Sequence, residues 1–442
     1  MRRRAFSTGL LASAALGGLG IGEARAMGRV PIGGTIQLRI PWSTERIDPH
    51  DIHDPLAAFF GGAVADPVYG RAPNGRVYPT LADGMPFIED DQTVVRLRPD
   101  LRSARGVALS GRDLAWSVAR ARRSGGAALL AGIDAMAIRS DPQAPLIARF
   151  GSIDPARLAW LLTSPLCALL PVGYRASQPD GTGAFVATCK SDRLILERND
   201  NASRGPAFLS RIVVRRAREL ADSLRAFESG QDDLGWLGRG FHRDRKGSRA
   251  FDYRQAGWVV LVTGKRAGRF SAPGMAKRLA DSVPTGRLHV GLRGRAGVGS
   301  GMRWDGGLTS LLYDAGDGHM GEIAKAVAAK LSSKGHEVTA RALSRARFRS
   351  TLEANKFALA LDVVRHPGSV PSPQAMALAT AGGVGLEFGA QYWEGKRKAP
   401  PPLTLGVLGT LGIHGGVAAS VLLAPDESGR GVSWGGSYKH VG

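Results

Sequence analysis

The sequence predicts an α/β protein with mixed sheets, part of which is parallel. Three observations support this prediction. Strand and helix patterns alternate from end to end of the chain. One stretch reads as strand, helix and strand, a βαβ unit that needs two parallel strands, over residues 308–313, 320–331 and 337–342. The chain has 442 residues, 43% of them hydrophobic, which is enough for two or three lobes and too much for one ordinary core.

The first 26 residues have the pattern of an export signal. A basic start from Arg2 to Arg4 precedes a small, apolar run from Thr8 to Gly22, and Ala24-Arg25-Ala26 offers an Ala-x-Ala cleavage site. The Arg-Arg-x-Phe core resembles a twin-arginine signal, although a basic start also suits the general secretory route. We therefore expect residues 1–26 to be a signal peptide and the mature protein to begin near Met27.

Local patterns predict the following elements in chain order. Alternating polar and apolar residues from Thr35 to Ile40 predict a half-buried strand. The segment Ser110-Gly111-Arg112-Asp113 predicts a capping box at a helix start, and Asp154-Pro155 predicts the beginning of a short helix. An apolar stripe formed by Leu220, Leu224 and Phe227 predicts a further helix, which Gly230 ends.

A long uncharged stretch lies near the C-terminus, from Leu403 to Ala424. Its length alone would suffice to span a bilayer, so a membrane anchor is one interpretation. Glycines interrupt it throughout, and Thr404, Thr410, His414 and Ser420 reduce its hydrophobicity. The better interpretation is two buried strands joined by a turn at residues 414–416.

The formal net charge of +21 limits the classes of partner. Loss of four arginines and one glutamate with the signal segment leaves +18 on the mature chain. The arginines are spread over the whole length instead of forming a basic stripe with interleaved aromatic residues, so we expect no nucleic-acid partner. Attraction to anionic envelope surfaces or to an acidic ligand is an alternative, as is a plain solvated arginine-rich face.

The two cysteines, Cys167 and Cys189, make a disulfide candidate if the protein is exported, because oxidising compartments permit one. Neither belongs to a Cys-x-x-Cys pair, which leaves redox catalysis and a thiolate zinc site unsupported. No nucleophile elbow, phosphate loop or zinc-protease motif occurs either, so we expect no enzyme and no cofactor.

Potential metal ligands are dense in one short segment, formed by Asp48, His50, Asp51, His53 and Asp54. Alternate residues of an extended loop could reach one ion. A solvated loop after the first strand explains the same residues, so we predict no metal site.

Several motifs together resemble the family 5 extracellular solute-binding proteins, which are the oligopeptide, dipeptide and nickel-type receptors of ABC importers. Their order and spacing cover nearly all of the mature chain. The matching segments are Asp48-Pro49, 75–79 with 81–83, 91–97, 110–117, the Gly-Thr-Gly turn at 181–185, 194–199, 226–233, the βαβ unit at 308–342, and 357–364.

The resemblance implies a bilobed fold of the type II periplasmic-binding-protein kind, with an additional smaller domain. We expect the proximal lobe to comprise residues 27–55, 175–257 and 415–442, the smaller domain 56–174, and the distal lobe 258–414. It also implies a monomeric, periplasmic or extracellular protein that closes on a peptide-like or other small organic ligand and delivers it to an ABC permease of the inner membrane. The alternative is a degenerate relative that acts as an envelope scaffold or sensor, held at the membrane surface by its charge.

The resemblance places the ligand contacts in segments of this chain and not at single aligned residues. The expected ligand contacts are Trp42, Ser43, Phe59, Phe60, Gly235, Trp236, Arg365 and His366. Peptide-binding members place an acidic residue after the strand equivalent to 357–364, where it pairs with the ligand's amino terminus. This chain has Arg365-His366-Pro367-Gly368 there, so we expect a neutral or anionic ligand, with Asp362 as the alternative acid.

Overall fold

The structure is a computed structural model that describes residues 32–236, 247–288, 292–294, 297, 302–366, 391, 396, 404–427 and 431–440. The predicted signal peptide at residues 1–26 lies outside the described residues, as does the side chain of Trp236.

Within this part of the chain, strands and helices alternate as predicted. The strands are β1 (Thr35–Ile40), β2 (Tyr69–Arg71), β3 (Val77–Pro79), β4 (Phe87–Glu89), β5 (Gln92–Arg96), β6 (Ile138–Ser140), β7 (Ile147–Phe150), β8 (Phe185–Cys189), β9 (Arg193–Arg198), β10 (Arg211–Arg216), β11 (Leu234–Trp236), β12 (Arg249–Thr263), β13 (Leu292–Gly294), β14 (Thr309–Asp314), β15 (Val338–Leu343), β16 (Leu359–Arg365), β17 (Leu405–Val417), β18 (Val421–Pro425) and β19 (Val432–Lys439). The α-helices are α1 (Pro55–Val64), α2 (Gly111–Arg123), α3 (Pro155–Leu161), α4 (Leu220–Glu228), α5 (Met275–Asp281), α6 (Gly318–Leu331) and α7 (Arg345–Glu353).

One large mixed sheet runs through the molecule in the order β15-β14-β16-β12-β17-β11-β1-β10-β9-β8, with β13 also paired to β17. β1 is parallel to β10, and β14 is parallel to both β15 and β16. The long strands β12 and β17 pair with each other and connect the two ends of this sheet, with a register shift between Tyr253 and Gly257. The two lobes therefore share a hydrogen-bonded sheet.

The local predictions for the βαβ unit and for three helix ends are confirmed. The predicted βαβ unit is β14-α6-β15, and its strands pair in parallel from Thr309 with Val338 onwards. Helix α2 begins after Ser110, whose backbone N–H donates to the Asp113 carboxylate at 2.9 Å in a capping box. Helix α3 begins after Asp154, which accepts from the Arg157 N–H, and α4 precedes Gly230, which has a φ of 81°.

Two large hydrophobic cores underlie this arrangement. The main core joins residues of both lobes, from Ile36 on β1 to Trp434 on β19. A second core is formed by residues between Val68 and Leu169, with the four-stranded sheet β4-β5-β7-β6 and helices α2 and α3. The chain enters and leaves this second unit side by side, since the Leu169 N–H donates to the Asp66 carbonyl at 3.0 Å.

Helix α1 differs from the expected assignment to the smaller domain. Its buried residues Leu56, Phe59 and Phe60 pack in the main core. The Gly-Thr-Gly turn explains this position, because a Cβ on Gly183 would lie 2.5 Å from the Ala63 carbonyl oxygen. Only glycine lets the turn approach the end of α1 so closely.

The C-terminal stretch forms two strands joined by a turn, as predicted, but the turn lies at other residues than expected. No turn interrupts residues 414–416; β17 continues to Val417, and the turn to β18 follows at residues 418–420. The glycines serve close packing, as a Cβ on Gly406 would lie 2.5 Å from the Ala276 carbonyl oxygen on α5. As for the membrane anchor, no helix of the described chain is both long and apolar enough to cross a bilayer.

The disulfide prediction also differs from the structure, which contains Cys167 and Cys189 as free thiols. Cys167 is buried in the second core, whereas Cys189 packs against the main core. The two side chains therefore belong to different packing units. Burial raises the pKa of each thiol to about 12.

Candidate functional site

The candidate site is a cavity of about 760 Å³ where the two lobes meet. It lies beyond the carboxyl ends of three strands: Trp42 and Ser43 follow β1, Asp314 to Asp317 end and follow β14, and Ser344 to Arg349 follow β15. Ligands of open α/β sheets bind outside the carboxyl ends of the strands, so the topology itself places a site here. The volume is in the range of small-molecule pockets.

The two lobes contact each other directly at the edge of this cavity. The Ser43 N–H donates to the Gly316 carbonyl at 2.8 Å, and Trp42 forms an isolated antiparallel bridge with Asp317. Trp42 is buried, and its ring stands edge-on to Phe59 with the centroids 6.3 Å apart. The structure thus holds the lobes together across a short backbone contact.

The end of the loop 48–54 forms a second wall of the cavity, through His53 and Asp54, just before α1. Asp54 caps this helix, accepting from the backbone N–H groups of Leu56 at 3.0 Å and Ala57 at 3.2 Å. It also accepts from the Asp48 N–H at 3.1 Å, which fixes the loop onto the helix. Burial raises the pKa of Asp54 in this position.

Arginines from other parts of the chain neutralise the remaining acids of the loop. Arg120 on α2 donates two hydrogen bonds to Asp48, at 2.9 and 2.8 Å. Arg345 on α7 donates to Asp51 at 2.7 Å and to Asp314 at 3.3 Å. Burial alone would raise the pKa of Asp51, but the Arg345 guanidinium holds it well below its ordinary value. The loop is tied to both α2 and the distal lobe.

The most buried ion pair of the site joins Asp362 on β16 to Arg349 on α7. Both guanidinium Nη atoms of Arg349 donate to the Asp362 carboxylate, one of them at 2.8 Å. His53 Nδ1 lies 3.0 Å from the same carboxylate. Burial opposes the ionised form of Asp362, yet the charge of Arg349 outweighs it and holds the carboxyl pKa well below its usual range. Asp362 therefore already has two partners inside the protein.

The residues of the segment 48–54 that look like metal ligands in the sequence have partners within the protein. The carboxylates of Asp48 and Asp51 are bonded to arginines, and His50 Nε2–H donates to the Ala168 carbonyl at 2.8 Å. No group of three or more potential ligands in the described chain is arranged to hold an ion.

The structure distributes the nine expected ligand contacts over several places. Trp42, Ser43 and Asp362 line the interlobe cavity. Phe59 and Phe60 lie in the main core, where Phe60 stacks on Trp434 with the ring centroids 5.0 Å apart. Gly235 is a backbone position on β11, where a Cβ would lie 2.7 Å from the Phe227 ring.

Arg365 and His366 lie away from the interlobe cavity. They line a different cavity of about 510 Å³, and the two cavities have no lining residue in common. His366 stacks on Trp258, with the ring centroids 5.7 Å apart. Trp236 pairs through its backbone with Gly415.

Sequence reasoning missed the arginines that line the cavity. They are Arg46, Arg216, Arg345 and Arg349. One signal was present in the sequence, because Arg345 and Arg349 are four residues apart and hence share one face of a helix. Carboxylates balance them, so the wall contains both signs of charge close together.

Comparisons with known proteins give structural matches alone. No protein-family model and no curated protein matches the sequence. The murein tripeptide binding protein MppA of Escherichia coli matches with a TM-score of 0.69 at 11% identity, over 93% of this chain and 99% of that one. The periplasmic binding protein DppA of Helicobacter pylori, in complex with the peptide STSA, matches with a TM-score of 0.68 at 14% identity, over 93% and 99%. NikA of Staphylococcus aureus, in complex with Ni(L-His)2, matches with a TM-score of 0.66 at 11% identity, over 92% and 100%.

These structures are family 5 solute-binding proteins with two lobes, and each match covers most of both chains. At these identities the similarity shows the fold. The bilobed α/β architecture with mixed sheets that the sequence motifs imply is therefore confirmed. The matched proteins are binding proteins and not enzymes.

Proposed function

We propose that the protein is an exported solute-binding protein that holds a small organic or peptide-like ligand in the interlobe cavity and delivers it to an ABC permease. The observation that carries the proposal is the cavity itself, which both lobes line at the carboxyl ends of their strands. Closing two lobes around a solute is a hinge motion that a membrane partner can recognise. We further propose that the protein acts as a periplasmic or extracellular monomer.

The ligand we propose does not place an ammonium group on Asp362. That carboxylate is bonded to Arg349 and His53, so an incoming amine would have to displace a buried cation. Four arginines and five carboxylates line the cavity, and Asp314 and Asp362 are bonded to Arg345 and Arg349, so the nearly balanced walls suit a neutral ligand better. Calorimetric titration with one short peptide library, in free and N-acetylated forms, tests this preference. We expect acetylation to leave binding intact; binding that requires the free amine contradicts it.

Mass spectrometry of small molecules retained by the purified protein tests the main proposal. Ala346 lines the cavity at the start of α7, and Ala346→Trp should fill part of it and abolish retention of the ligand. Ala354→Trp is the matched control, because Ala354 is exposed just after the same helix and does not line the cavity.

Small-angle scattering then measures closure on addition of the identified ligand. A smaller radius of gyration for the unaltered protein and for Ala354→Trp, but not for Ala346→Trp, supports a binding protein. A retained ligand without any closure favours the alternative of an envelope sensor or scaffold. Retention that is equal in both variants contradicts the placement of the ligand in this cavity.

A further inference from the structure

A second cavity, of about 510 Å³, has no lining residue in common with the interlobe cavity. Helix α1 forms one wall through Ala58, Phe59 and Gly62, and the β18-β19 hairpin contributes Trp434. Arg365, at the end of β16, also lines it. Its backbone N–H donates to the Ile52 carbonyl at 2.7 Å, so the arginine lies directly behind the loop.

The guanidinium of Arg365 is the unusual feature of this cavity. The residue is only 3% exposed. Its Nη1 donates to the Pro49 carbonyl at 3.0 Å and the Asp51 carbonyl at 3.4 Å, while its Nε has no hydrogen-bond partner. No carboxylate in the described parts of the chain forms an ion pair with it. A buried cation that lacks a paired anion is unfavourable, and a bound anion would remove that penalty.

The more distant charges do not supply the missing partner. Asp48, Asp51 and Asp54 act on Arg365 at longer range, but burial outweighs them and lowers the pKa of the guanidinium. Asp48 and Asp51 are themselves bonded to other arginines.

The acids that line the second cavity are also occupied. Glu427 pairs with Arg204, and Asp66 accepts from the Ser203 hydroxyl at 2.9 Å. Asp426 has a partner as well. Helix α1 approaches the guanidinium at a glycine, and a Cβ on Gly61 would lie at ordinary contact distance, 3.7 Å from Arg365 Nη2.

We propose that this cavity is a second binding site, which takes a small organic carboxylate. The carboxylate group pairs with Arg365 through a charge-assisted hydrogen bond from the guanidinium. The apolar body of the ligand lies against the aromatic walls formed by Phe59 and Trp434. Because this cavity shares no lining residue with the interlobe cavity, the site goes beyond the proposed function and does not depend on it.

Isothermal titration of the mature protein with benzoate and with benzamide, its neutral analogue of similar shape, tests the assignment. We expect benzoate to bind at least about tenfold more tightly, as a charge-assisted pair inside a cavity predicts. Gly62→Leu should abolish benzoate binding, since Gly62 lines the cavity and a Cβ there would have no atom within 4 Å. Gly84→Leu is the control, because Gly84 has equal space and lines neither cavity.

The outcomes separate this inference from the proposed function. Ala346→Trp, which fills the interlobe cavity, should leave benzoate binding unchanged; loss of binding in that variant overturns the inference. Absence of benzoate binding, equal binding of benzamide, or binding of inorganic phosphate alone also overturns it. The comparison of benzoate with benzamide uses the unaltered protein, so it decides even if Gly62→Leu fails to fold.

Discussion

Replacing Asp362 by Asn should destabilise the protein strongly. The carboxylate is 4% exposed, accepts two hydrogen bonds from Arg349, and lies 3.0 Å from His53 Nδ1. The amide of Asn keeps the shape and removes the charge, so Arg349 is left as a largely buried cation without its paired anion. Removing one partner of a buried ion pair costs about 3–5 kcal/mol. We expect the free energy of unfolding to fall by that amount.

Urea unfolding followed by tryptophan fluorescence measures this change, with Asp305→Asn as the matched control. Asp305 pairs with Arg269 on the surface, where the two side chains are 44% and 61% exposed. An exposed pair contributes about 0–1 kcal/mol, so the control should unfold nearly as the unaltered protein does. Adding Arg349→Met to Asp362→Asn should restore part of the lost stability, because it removes the unpaired cation.

The loss of stability caused by Asp362→Asn should also depend on pH. The pKa of Asp362 is lowered in the folded protein from its ordinary value of 3.8. Its stabilising contribution is therefore fully present above that value and is lost as the pH falls below it. The difference in unfolding free energy between the unaltered protein and Asp362→Asn should shrink below about pH 4. Equal losses for Asp362→Asn and Asp305→Asn at pH 7 would refute the reasoning.

Further predictions concern the turn at α1, the thiols and the N-terminus. Gly183→Ala should lower the melting temperature by several degrees, because its Cβ would meet a helix carbonyl at 2.5 Å, whereas Gly84→Ala, with open space, should not. Cys167 and Cys189 should resist alkylation at pH 8 in the folded protein, because burial raises the pKa of both thiols to about 12. Both should react in denaturant. A count of zero free thiols in denaturant would mean that a disulfide forms after all. Intact-mass analysis of protein from the native envelope should find Met27 as the first residue, and a full-length species would contradict export.

Sequence patterns predicted the elements that local chemistry determines. The capping box of Ser110 and Asp113 needs only neighbours along the chain, and the βαβ unit at 308–342 needs only its own periodicity. The turn of the C-terminal stretch was predicted at the wrong residues because glycine has two physical uses. Gly406 and Gly415 sit inside β17, where their missing side chains admit neighbouring backbone, yet in a sequence they also indicate a turn.

The candidate site was predicted only in part, because the partners of its charged residues are distant along the chain. Asp48 and Asp51 look like metal ligands in sequence because their partners, Arg120 and Arg345, are far away along the chain. Arg365 follows Asp362 by three residues on the same strand, yet the two side chains serve different cavities. Side chains of a strand alternate between its two faces. The cavity that each side chain reaches can therefore be predicted only when the elements that cover each face are known.

The chain enters and leaves the second core at adjacent points, which has a consequence for building new proteins from this one. The chain leaves the main body near Asp66 and returns near Leu169, where the two backbones are hydrogen bonded. The unit between them has its own core and sheet, so it behaves as an inserted module on a complete two-lobed frame. A short linker joining these two points could replace the whole module, whereas any cut between the lobes would sever the sheet that both of them share.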